Sequence, residues 1–155
     1  VISYFKKKGV PLEDAMATGG GSEEDEEDDL AEDACCYNQG KIWLEQGKIN
    51  EALESFRKSL ELRNHFKTLA QISVCYDRLG LAGPTFEYLE LAYKANPRND
   101  KVAYDFAEKL KASNRTAEAR KVLESLLLRN QSYKKARILL RSLDSIPPTA
   151  QHEKR

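Results

Sequence analysis

His65 and His152 are the two histidines of this 155-residue chain, and Cys35, Cys36 and Cys75 are its three thiols. A general base, a thiolate nucleophile or a zinc site needs such groups to converge with one another or with carboxylates. Here they stand apart. His65 falls in an expected turn, His152 in an expected loose tail, and no Cys or His has metal-ligand spacing. The adjacent Cys35 and Cys36 offer the chemistry of a redox switch. The odd cysteine count, however, supports no disulfide framework and fits a reducing compartment, and all three thiols are expected to serve as small packing residues. Gly47-Lys48 lacks the Gly-x-x-x-x that leads into a phosphate loop, and it follows a helical segment instead of a strand. No metal, cofactor or catalytic centre is expected, and the chain does not read as an enzyme.

Charge is the chemistry that remains. Residues 1–34 carry eleven acids against Lys6, Lys7 and Lys8, a net of −8, so the formally neutral chain holds +8 in its remainder. Ten bases fall within residues 109–141, opposed by Glu118 and Glu124 alone. Gly19-Gly20-Gly21-Ser22 is a flexible spacer, and in the block from Glu23 to Asp29 every residue is a carboxylic acid whose repulsion opposes compaction. Residues 1–30 are therefore expected to form a disordered acidic arm. Ser22, just before Glu23-Glu24-Asp25, has the context of an acid-directed kinase substrate.

The elements that must position the charged body are helices. Apolar residues make up 41% of the chain and charged ones 32%, with a mean hydropathy of −0.64, which suffices for a modest core but supplies no run of roughly 20 apolar residues to span a bilayer. Beyond Leu30, apolar residues recur at three- and four-residue steps without strand alternation. The spacing predicts seven helices near 31–46, 49–62, 66–79, 84–95, 99–112, 115–129 and 132–143. Asn50, Pro84, Asn99 and Thr116 mark starts, and Gly47 and Gly80 mark left-handed C-terminal turns. Ile146-Pro147-Pro148 stops further helix, leaving residues 144–155 as a flexible tail. Because the chain opens on Val1, it reads as an excised fragment of a longer protein.

The helices repeat with a period near 34 residues, as stacked helix pairs do. A small residue opens the packing of each second helix at Ala52, Thr85 and Ala119, and a bulky one follows four residues later at Phe56, Leu89 and Leu123. Asn114 takes the turn position held by Gly47 and Gly80, the substitution a left-handed residue tolerates best. Gly40 and Trp43, Tyr76 in the second unit, and Asn96-Pro97 at a unit's end complete a pattern that resembles the tetratricopeptide repeat family over residues 31–143. Ser73 and Ala107 depart from the first-helix glycine, Thr85 from alanine, and Asn64 and Gln131 from proline. The resemblance implies an all-α solenoid of three helix-turn-helix repeats, with the helix at 132–143 as a C-terminal cap presenting Ala136, Leu139, Leu140 and Leu143 to the last repeat.

The resemblance also implies a protein-protein interaction module, with the first helix of each pair lining a concave groove for an extended peptide. In that register the groove is lined by Tyr37, Asn38, Lys41, Lys67, Gln71, Val74, Arg78, Lys101, Tyr104, Lys111, Lys134, Arg137 and Arg141, with Asp105 and Glu108 among them. Bases outnumber acids, so an acidic peptide is the expected partner, held more strongly toward the C-terminal half. Chaperone-tail binders of this family clamp carboxylates with Lys and Asn, then Asn, then Lys and Arg. Here Tyr37 and Lys41, then Gln71, then Lys101 and Asp105 occupy those places, and only Lys101 fits. A second possibility is that the acidic arm folds back on the basic body and competes with the partner. The alternative reading is RNA or another polyanion on the basic C-terminal surface. Tyr133 is the sole aromatic among those bases, so nucleic acid has less support. A scaffold or adaptor role as a subunit of a larger cytoplasmic or nuclear complex is expected.

Overall fold

The computed structural model describes residues 23–145, all of whose regular structure is helical. Seven helices follow in order: α1 (Glu23–Glu45), α2 (Ile49–Leu62), α3 (Phe66–Arg78), α4 (Ala82–Ala95), α5 (Asp100–Ala112), α6 (Thr116–Arg129) and α7 (Lys134–Asp144). Three helix-turn-helix repeats, α1/α2, α3/α4 and α5/α6, are followed by the extra C-terminal helix. The packing groups them into two compact units divided between Ala95 and Asn96, where the sequence is read as one domain over 31–143. In the first, α1 packs on α2, α2 on α3 and α3 on α4. In the second, α5 packs on α6 and both pack on α7.

One boundary differs from expectation. The first helix begins at Glu23, not near residue 31, and so takes in the acidic block assigned above to a disordered arm. Backbone hydrogen bonds can carry a helix on past a change of composition, which composition alone does not register. The Gly19–Ser22 spacer, the Ser22 modification context and the tail beyond Ser145 lie outside the described residues. Helix α4 starts two residues before Pro84, which a first turn accommodates because its N–H has no intrahelical partner.

The same turn recurs in each repeat. Gly47 (φ 76°), Gly80 (φ 73°) and Asn114 (φ 59°) are left-handed. After each, the next residue's N–H returns to a carbonyl five back: Lys48 to Trp43 at 2.9 Å, Leu81 to Tyr76 at 3.0 Å and Arg115 to Leu110 at 2.9 Å. This bond satisfies carbonyls that the helix end leaves bare and reverses the chain into the second helix of the pair. Asn99 caps α5 as expected, its Oδ1 accepting from Val102 N at 3.0 Å. Asn50 and Thr116 also stand at helix starts as expected, as the second residue of α2 and the first of α6.

In the first unit, Phe56, Ile72 and Cys75 are fully buried. A Cβ added to Gly40 would lie 2.7–2.9 Å from the Phe56 ring, so the missing side chain is what admits the phenyl group. Beside it runs a buried polar chain: Ser59 donates to Asp33 Oδ1 across α1 and α2, and Thr68 of α3 lies 3.4 Å from the same hydroxyl. Thr85, a departure from alanine, is buried at no polar cost because its hydroxyl donates to Leu81 O at 2.7 Å. Cys75 packs as expected, and burial pushes its thiol up to about 11. Cys35 is exposed, so it is not the packing residue expected.

The second unit has a core that includes Phe106, Ala107, Leu110, Leu123 and Leu126. Helix α7 buries Ala136, Leu139 and Leu143 and leaves Leu140 half-buried, as a terminal cap should. Polar clasps hold its edges. Asp100 accepts from Asn130 Nδ2 at 2.9 Å and faces Arg129 at 3.7 Å, and Arg120 pairs with Asp144 at 2.6 Å.

Candidate functional site

The expected peptide-facing residues divide between the units, and each unit builds its own surface from first helices. In residues 23–95 these are α1 and α3. Asn38, Lys41 and Lys67 are exposed, while Gln71 and Val74 are half-buried. Tyr37 rests its ring 5.7 Å from that of Phe56, which makes it a bridge between core and surface. Arg78 is committed: its guanidinium donates to Leu44 O at 2.9 Å, joining the ends of α3 and α1. Trp43 lies beneath the Lys48 ammonium, 4.5 Å from the ring centroid. His65 is a capping residue. Its Nδ1 accepts from Lys67 N at 3.2 Å, and burial, with Arg63 and Lys67 nearby, pushes its pKa down.

In residues 96–145 the surface is built on α5 and α7. Lys101 is paired with Asp105 at 2.7 Å, one helical turn on. Tyr104 donates to Glu108 at 2.8 Å and sets its ring 5.8 Å from Tyr133, at the entry to α7. Burial first, and then the Glu108 contact, push the Tyr104 hydroxyl up to about 12, so both rings stay neutral hydrogen-bonding surfaces at physiological pH. Lys111 donates to Ser142 at 2.8 Å, and Arg137 donates to Gln131 O. Lys134 and Arg141 are exposed.

The expected basic surface is thus thinned by the fold. Arg78, Lys101, Lys111 and Arg137 are spent on internal partners, whereas the side chains of Lys41, Lys67, Lys134 and Arg141 have no hydrogen bond or ion pair among the described residues. On α5 the charges cancel, with Lys101 and Lys111 balancing Asp105 and Glu108. On the outer side of α7 they do not. Sequence reading missed Tyr133 as a ring partner, since nothing local brings residues 104 and 133 together. It also missed Ile138, 67% exposed among the α7 bases, though its place four residues after Lys134 was a legible signal. Among the described residues, no group of His, Cys, Asp and Glu could hold a metal ion, and no helix is long and apolar enough to cross a membrane.

Models of the tetratricopeptide repeat (TPR) match residues 34–66 and 85–149, together more than half of the chain. No curated protein sequence matches it. Among solved structures, it is similar to the first TPR of Spaghetti (RPAP3) bound to the HSP90 peptide SRMEEVD, with a TM-score of 0.66 and 20% identity over 74% of this chain and 91% of that one. The Arabidopsis OM64 TPR domain gives a TM-score of 0.65 at 13% identity, covering 75% and 97%. The second TPR domain of human RPAP3, in complex with the HSP70 peptide SGPTIEEVD, gives 0.64 at 14% identity, covering 78% and 99%. At such identities the likeness is one of fold.

Proposed function

Because the chain belongs to the tetratricopeptide repeat family, whose members are protein-interaction modules and not catalysts, we propose that it is a scaffold or adaptor that holds an extended acidic peptide on its first-helix faces, within a larger cytoplasmic or nuclear assembly. One observation carries the acidic preference: the side chains of Lys41 and Lys67 on α1 and α3, and of Lys134 and Arg141 on α7, have no hydrogen bond or ion pair among the described residues. Each exposed ion pair with a peptide carboxylate contributes about 0.2–1 kcal/mol, so the two bases that each unit presents give a weak, salt-sensitive affinity. Tyr37 and Tyr104 supply apolar area beside these charges.

Similar folds are bound to an HSP90 peptide and to an HSP70 peptide, but the residues of this chain argue for a different acidic ligand. Lys101, the one base at a clamp position, already holds Asp105, and an incoming carboxylate would have to displace that aspartate and then lie beside it. Anisotropy titration of a labelled Glu/Asp-rich nonapeptide tests the general reading. The Lys41→Glu/Lys67→Glu double variant is expected to weaken binding at least about fivefold, and raised salt to weaken it further. Equal affinity in both proteins at every salt concentration would sink the proposal. The peptide SRMEEVD is expected to bind the natural chain poorly, and Asp105→Asn to tighten it about two- to fivefold by freeing Lys101.

A further inference from the structure

Burial sets the register between α5 and α7 in the second unit. Ala103, Phe106 and Leu110 are buried on α5, and Ala136, Leu139 and Leu143 are buried at the same spacing on α7. In that register Lys101, Asp105 and Glu108 of α5 correspond to Lys134, Ile138 and Arg141 of α7. The α5 stripe is neutralised from within. Lys101 reaches Asp105 one turn on at 2.7 Å, and Glu108 accepts from Tyr104 at 2.8 Å. On α7 Ile138 takes the place of the aspartate and Arg141 that of the glutamate. The one acid of that helix, Asp144, is held by Arg120 at 2.6 Å.

The side chains of Lys134 and Arg141 therefore keep their charge for an outside partner, and Ile138 between them is 67% exposed. Four- and three-residue spacing puts all three on one stripe of the helix. Along the axis, Lys134 and Ile138 stand about 6 Å apart, and Ile138 and Arg141 about 4.5 Å. An extended peptide presents alternate residues on one face about 6.7 Å apart. Three alternate side chains thus span about 13 Å against about 10 Å on the helix, a difference that the long Lys and Arg chains cover. The chemistry that fits is a carboxylate, an apolar side chain and a second carboxylate at every other residue. An unbroken acidic run fits less well, since it sets a carboxylate on Ile138 and strips water from it without supplying a partner.

We propose, on the basis of the acidic-peptide function above, that the exposed stripe of α7 selects among acidic peptides an extended segment in which an apolar residue lies midway between two acids, each two positions away. The two bases supply attraction and salt dependence. Burial of the apolar side chain on Ile138 supplies the choice, through a contact that salt does not screen. No terminal carboxylate is needed, because two side-chain carboxylates engage both bases.

NMR titration of the nitrogen-15-labelled full chain with the amidated peptides GSESLSESG and GSLSESESG tests it. The two have the same composition and charge, but only the first places leucine midway between glutamates. It should bind about fivefold more tightly and shift the amide resonances of residues 134–141, and the ratio should hold as salt rises. Ile138→Ala should bring the ratio below about twofold while both peptides still bind in a salt-sensitive way. Ile138→Asp, which gives Lys134 the internal partner that Lys101 has, should weaken GSESLSESG about tenfold. Lys41→Glu/Lys67→Glu should leave the ratio unchanged. Equal affinity for the two peptides, or a preference that survives Ile138→Ala, overturns the proposal and leaves the acidic-peptide function standing. So does the absence of GSESLSESG binding where the Glu/Asp-rich nonapeptide binds, whereas failure of every acidic peptide defeats both. Unchanged helical circular dichroism in every variant separates lost contact from lost fold.

Discussion

A glycine faces a phenylalanine in the first repeat, and an alanine stands at the matching distance from a leucine in the third. Gly40 precedes Phe56 by the same sixteen residues that separate Ala107 from Leu123, and Phe56, Ala107 and Leu123 are all fully buried. Where the first helix lacks a Cβ, the second supplies an aromatic ring. Where it has a methyl group, the second supplies a shorter branched chain. Ser73 and Leu89, again sixteen apart and both buried, follow the third repeat's rule. Departures from a repeat pattern that look like erosion position by position are, when taken in pairs, conservation of volume. The units also differ in polarity. Residues 23–95 bury Asp33 against Ser59 and Thr68, whereas residues 96–145 keep their carboxylates at the edges, on Arg129, Asn130 and Arg120.

The volume rule is broken most severely by Gly40→Val. Its added methyl groups would meet the Phe56 ring below van der Waals distance, and the cost is expected near the top of the overpacking range, about 3 kcal/mol, read as a lower urea midpoint. A loss under about 1 kcal/mol would mean that the ring has room to move and that the pairing is accidental. The polarity contrast is tested by Ser59→Ala, which leaves the buried Asp33 carboxylate without its donor and should cost about 2 kcal/mol. An equal loss from Asp100→Asn, whose partners sit at a partly exposed edge, would remove the distinction between the units. The finest test moves the first repeat's solution into the third. Ala107→Gly alone should cost about 1 kcal/mol through helix propensity, yet it should lessen the damage done by Leu123→Phe, and additive losses would refute the compensation.

Much of this architecture was legible in residue order because it rests on local chemistry. Seven helices, three left-handed turns and the capping role of α7 follow from periodicity and from Gly47, Gly80 and Asn114, whose conformational preferences act within a few residues. The resemblance to tetratricopeptide repeats rested on the same short-range signals. The candidate surface was legible only as a set of positions. Lys101 and Lys41 look alike in a repeat register, but one is held by Asp105 and the other has no such neighbour. Arg78 and Lys111 read as groove bases until α3 meets α1 and α5 meets α7, where a carbonyl and a hydroxyl take them.

Residue order by itself therefore determined where each helix runs and which side of it is apolar, because both depend on interactions a few residues apart. Only the tertiary structure decided which charges stay available and which rings pair. A side chain's partner depends on distances between segments some thirty residues apart in the chain, and those distances exist only once the helices have packed.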